Sequence, residues 1–202
     1  MTLAFERFTN DATGIDRYID SMENNRDQFL ANVDQVAIEQ DHLDHFAGQS
    51  LSFLVITEDW CIDSVQFVPV LVRLARENEN LDIRVLRRDE HRDLADNYKN
   101  KMGYQPIPVI VVFDDDGNEL GHVLERPEQT SAEMAAETRR FQEANPHLDG
   151  IKRNIQRMPE ETQAIVKAHN REWRLNQLDR FAGHLLNELR DIIDSARDDR
   201  AA

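Results

Sequence analysis

Apolar residues recur at helical spacing over residues 13–48, with Ile15, Tyr18, Ile19, Met22, Phe29, Leu30, Val33, Val36 and Ala37 three or four apart. This predicts a helical N-terminal segment, with Asp11 or Thr13 placed to cap it. The pattern then changes period. Residues 51–57, LSFLVIT, are a short continuous apolar run, as a strand covered on both faces requires. Val65, Val68, Leu71, Val72 and Ala75 share one face of a following helix, which Pro69 should kink because it lacks an N–H donor. A second strand is read at 81–89 and a second helix at 90–103, closed by Gly103. Residues 107–125 read as two strands turning at Asp115-Asp116-Gly117-Asn118, a hairpin signal. Helix returns at 129–144, ANPHLDG breaks it, and a long amphipathic pattern runs from 159 to 197 through Ile165, His169, Trp173, Leu178, Phe181, Leu185, Leu189 and Ile192. Two strands joined by a helix, followed by a hairpin, make a mixed sheet whose first pair is parallel through a right-handed crossover.

Charge narrows the choice of partners. The 202 residues carry 39 Asp and Glu against 24 Lys and Arg, a formal net charge of −15. A field of that sign disfavours nucleic acid and anionic membrane surfaces. Lys occurs only at 99, 101, 152 and 167, so nearly all the cations are Arg. Such a surface suits a high-salt cytoplasm, where ions screen self-repulsion; GC-rich codon usage is the alternative source. No apolar run approaches the ~20 residues of a membrane helix, and MTLAFERFTNDATG lacks the basic-then-apolar order of a signal peptide. A cytoplasmic location is expected. The single cysteine, Cys61, agrees, since no internal disulfide can form.

Cys61 stands in EDWCIDS, where the first core strand turns into a helix. This segment resembles the Trp-Cys-x-x-Cys turn of the thioredoxin family. RRDEHRDLADNY is similar to that family's second strand and following helix, and YQPIPVIVVFDDDG to the segment in which a cis-proline precedes the hairpin, with Pro108 at the matching position. The details are closest to thioredoxin-like proteins with Glu-Asp-Trp-Cys-x-Asp, an N-terminal helical extension and a Gly-x-x-x-x-Arg-Pro tail, here GHVLERP. The resemblance implies an α/β thioredoxin fold, a mixed central sheet flanked by helices, with helical extensions at both ends: residues 1–49, then 50–145 as the thioredoxin-like domain, then 146–202.

Two positions depart from the family pattern. Ser64 stands where the resolving cysteine belongs, and Val55 where thioredoxins keep a buried acid. Without a second thiol, dithiol reduction cannot be completed within the chain. The resemblance then implies monothiol exchange. Cys61 attacks a disulfide, or is capped by a small thiol; Ser64 orients the thiolate; Trp60 shields one side; Ile107 and Pro108 hold the bound chain. A redox-inert module binding a protein or peptide at the cis-proline edge is the rival. The helix N-terminus favours thiolate, whereas Glu58, Asp59 and Asp63 oppose it, so partial activation is expected. That acidic rim favours neutral or basic substrates. No cofactor or metal is expected.

Other clusters read as structure. His42 and His45 lie three apart beside Asp41 and Asp44, without a third strong ligand. FDDDGNE lacks the 12-residue spacing of a calcium loop. Arg87 and Arg88 are expected to pair with nearby acids, and His169 and Trp173 to sit in a core. The apolar stripe of 159–197 must cover its own sheet, or else an equivalent helix in a homodimer.

Overall fold

The computed structural model describes residues 2–201. Among them one mixed sheet runs in the order β1-β3-β2-β4-β5. Its strands are β1 (Thr13–Gly14), β2 (Leu51–Thr57), β3 (Leu81–Arg87), β4 (Val109–Phe113) and β5 (Glu119–Leu124). β2 and β3 are parallel, from Leu51 opposite Leu81 to Thr57 opposite Arg87. β4 is antiparallel to both β2 and β5.

The alternation of side chains along β2 sends Phe53 and Val55 into one core and Leu54 and Ile56 into another. The first core is sealed by α3 (Arg26–Gln35), α5 (Ile62–Glu77) and α9 (Leu178–Ala201). The second is sealed by α1 (Leu3–Asn10), whose Phe5 and Phe8 rings lie 5.2 and 5.8 Å from Phe113, and by α6 (Arg92–Ala95). Strand β2 is therefore apolar throughout because both its faces are covered, as its sequence requires.

Three predicted elements come out shorter or divided. Residues 13–48 form β1, α2 (Ile15–Asp20), α3 and α4 (Gln40–Phe46) instead of one helical run. β1 leaves the pattern because Thr13 pairs across to Val85. Asn25 adopts φ +56° before α3, and the Ala37 amide donates to the Asp179 carboxylate (2.8 Å) in the link to α4. Neither Asp11 nor Thr13 starts a helix: Thr2 is the N-cap of α1, accepting from the Phe5 amide, Asp11 instead closes α1 as its C-cap, and Gly14 precedes α2. The predicted helix 90–103 stops at α6 and a 3-10 turn, Asp96–Tyr98, because the Asn100 side chain captures the amides of Met102 and Tyr104 at 3.0 Å each. The run 159–197 breaks at Asn176 and Gln177 into α8 (Glu160–Leu175) and α9.

Helix α7 (Glu128–Ala144) packs against α8, while α9 lies along β5. The α9 stripe is spent on its own domain: Phe181, Ala182, Leu185, Leu186, Leu189 and Ile193 are at most 1% exposed. Helix α5 continues through Pro69. The β4–β5 turn is a hairpin in which the Asp114 carboxylate accepts the amides of Asp116 and Asn118 at 3.0 and 2.8 Å. Among the described residues no helix is long and apolar enough to cross a membrane.

Candidate functional site

The parallel β2–β3 pair and the crossing α5 place Cys61 at the carboxyl end of β2, as the N-cap residue of α5. The loop after the 3-10 turn returns to the same end, where the Ile107–Pro108 peptide bond is cis. These two segments meet at the sulfur. The Cys61 thiol donates to the Ile107 carbonyl at 3.4 Å, and the residue is only 8% exposed.

Burial is the largest influence on this thiol and pushes its pKa up. The Ser64 hydroxyl and the Ser64 and Asp63 amides pull it down, and the Asp63 charge adds to the rise; the outcome is a pKa above the ordinary thiol value. The partial activation expected at a helix N-terminus is thus overturned, because desolvating a thiolate costs more than the first-turn donors return. Beneath the site, Val55 is completely buried among Phe53, Val68 and Ile110.

Ser64 turns inward. It is 2% exposed, and the Thr57 hydroxyl donates to it, which binds the end of β2 to the first turn of α5. Trp60 is itself 49% exposed, with the Arg88 guanidinium 5.7 Å over its ring. Arg88 also reaches the Gln105 carbonyl at 3.5 Å. Trp60 is therefore tied to the segment carrying exposed Met102 and Tyr104.

The acidic rim is the main correction. Glu58 and Asp59 are buried, at 5% and 3% exposed. Asp59 accepts from the Glu23 and Asn24 amides (2.9 and 3.3 Å) and from the Asn24 side chain (3.0 Å), while the Asn25 side chain donates to its carbonyl. Glu58 accepts the Asp89 amide at 2.8 Å, and Arg87 lies 3.5 Å from Glu58 and 3.7 Å from Asp59. Asp63 is held from both sides, by Arg126 at 2.7 Å and by Arg174 of α8 at 2.6 Å. Arg174 also donates to Gln66, so the C-terminal extension is fastened to the first turn of α5. Buried carboxylates demand such partners, and the motif next to the cysteine is consequently a structural latch.

Sequence reasoning put Cys61, Ser64, Trp60, Ile107 and Pro108 in one site; the structure brings the Cys61 sulfur against Ile107, next to the cis bond to Pro108. It missed Arg126 and Arg174 as partners of Asp63. Arg126 had a signal, since it is the arginine of GHVLERP; Arg174, 111 residues away from Asp63, had none. Arg87 pairs with acids as expected. His169 is held by Glu137 (2.8 Å) and stacks on Phe141, and Trp173 packs edge-on to Phe181.

No curated protein matches the sequence. Among solved structures, a Pseudomonas aeruginosa protein of unknown function covers 96% of this chain and 96% of its own, with a TM-score of 0.62 at 14% identity. An HIV epitope scaffold covers 95% and 96%, with a TM-score of 0.59 at 14% identity. Both are likenesses of fold. The family model described as thioredoxin matches residues 12–145, well over half of the sequence, so the chain belongs to the thioredoxin family.

Proposed function

We propose that the protein is a thioredoxin-fold binding module that holds an extended polypeptide across the Ile107–Pro108 edge while Cys61 stays a neutral thiol. The observation carrying this reading is a buried thiol that donates a hydrogen bond to a backbone carbonyl beside an exposed apolar surface. Trp60, Ile62, Met102 and Tyr104 are among the few large apolar side chains exposed among the described residues. Beside them, among the described residues, the Ile107 amide has no hydrogen-bond partner, and its carbonyl accepts only from the thiol. An extended chain laid along that edge pairs with such a backbone as an added strand does, with side chains reaching the flanking aromatics.

A second reading, monothiol exchange, is favoured by one feature: Cys61 opens the 16-residue α5, where the Ser64 hydroxyl and two amides face its sulfur. In that chemistry the Cys61 thiolate attacks a substrate disulfide, a mixed disulfide forms, and the other substrate sulfur leaves as thiolate. A small thiol, in its thiolate form, then attacks the mixed disulfide and displaces one of its two sulfurs.

The alkylation rate of Cys61 against pH, with Cys61→Ser as blank, separates the two. The binding module requires slow labelling at pH 7, a midpoint above the ordinary ~8.5, and acceleration on unfolding. Rapid labelling with a midpoint well below that value would overturn it in favour of exchange.

A further inference from the structure

A pocket opens beside the first turn of α5, between that helix, α3 and α8. Its apolar wall is Ile62, Val65, Leu175 and Leu178, and its cations are Arg171 and Arg174; amide side chains complete it. No Asp or Glu lines it, in a protein of net charge −15. Its cavity volume is about 30 Å³, room for two or three water-sized groups, since one such group needs roughly 10–15 Å³ on the same measure.

The two arginines differ in what they have left to give. Arg174 is spent on Asp63 and Gln66, whereas exposed Arg171 has no ion-pair or hydrogen-bond partner among the described residues. Ile62, adjacent to Cys61, and Leu175 are both exposed at the mouth, at 41% and 43%. The pocket is therefore continuous with the apolar surface around the thiol, and it ends in an uncommitted guanidinium.

We infer that this pocket receives a short aliphatic side chain of the docked polypeptide, with a neighbouring carboxylate of that chain paired to Arg171. The inference rests on the binding reading above and specifies its substrate class as an acidic, aliphatic segment. It runs against the molecule's overall field. Net charge steers a basic peptide toward this protein and repels an acidic one, so a preference for acid can arise only from a local partner. Arg171 is also too exposed for its pairing to dominate: a rim contact of this kind sets selectivity and leaves most of the affinity to the apolar contacts.

The test uses two fluorescein-labelled extended peptides identical except that Val-Glu in one is Val-Lys in the other. Their affinities are measured by anisotropy for the full chain, Arg171→Glu and Trp60→Ala, at low and high salt. The acidic peptide should bind several-fold more tightly than its basic twin. Arg171→Glu should cost it about fivefold at low salt, the scale of an exposed pair, and less at high salt. A preference for the basic peptide, or an acidic-peptide affinity unchanged by Arg171→Glu, overturns the inference and leaves the binding reading standing. If neither peptide binds the full chain, or if Trp60→Ala binds both as tightly as the full chain does, the binding reading itself falls and this inference falls with it.

Discussion

Replacing Asp59 by Ala is the most direct test of whether the acids flanking the thiol serve the fold. The change leaves two backbone amides and the Asn24 side-chain amide without their acceptor, and Arg87 without one of its two acids. A hydrogen bond to a charged group contributes about 1.5–3 kcal/mol, and breaking a buried pair typically costs about 3–5 kcal/mol. The Asn24 amide can regain water, so the lower end applies and about 3 kcal/mol is expected, a large share of an ordinary domain's stability. Asp59→Asn keeps one acceptor oxygen and should cost about half as much.

The pH dependence gives an independent check. Burial pushes the Asp59 carboxyl up, but the Glu23 and Asn24 amides, the Asn24 side chain and the Arg87 guanidinium more than offset it, so its pKa lies below the ordinary value. A depressed acid stabilises the fold above its unfolded pKa, near 3.9, and that contribution disappears as pH falls through the folded value. Urea unfolding followed by tryptophan fluorescence should show the gap between wild type and Asp59→Ala at pH 7 and its narrowing below about pH 4. A gap under about 0.5 kcal/mol at pH 7, within the range of ordinary surface changes, or one independent of pH, would refute the latch.

Arg174→Met removes one of the two cations on Asp63; since the Asp63 charge raises the thiol pKa, Cys61 should alkylate more slowly at pH 8, and an unchanged or faster rate counts against the clamp. Gly117 holds φ +77° and a β-carbon there would clash with the edge of the Phe5 ring, so Gly117→Ala should cost about 2–4 kcal/mol from backbone strain plus repacking, read by chemical denaturation. His42 is 5% exposed, and burial lowers its pKa while Glu39 and Asp41 raise it and Arg190 and His45 lower it. The unfolded chain therefore binds the extra proton first, and stability should fall as pH drops below about 6.5. His42→Phe should flatten that part of the profile, and an unaltered slope there would show that His42 does not carry it.

Local pattern made the central strands legible, because a strand covered on both faces has to be apolar throughout and LSFLVIT can satisfy little else. The turn at Cys61 and the approach of Pro108 were legible as well, since spacing along the chain and the family resemblance pointed to the same end of the sheet. Helix lengths were less so. Apolar spacing continues through Met22 and Phe29, yet the chain turns between them, where the Asp59 carboxylate takes the amides of Glu23 and Asn24. A carboxylate from another part of the chain ends that helical pattern, and periodicity carries no record of it.

The charges around the thiol show the same division. By itself the sequence determined that one cysteine sits between acids, at a strand-to-helix turn, with serine where a second thiol would be. Only the tertiary structure decided that those acids face inward, held by Arg87, Arg126 and Arg174, and that the thiol is buried against Ile107. The sign of a residue's charge is local information. Whether that charge meets water or a guanidinium contributed from across the fold depends on packing, and packing sets the pKa and the face presented to a partner.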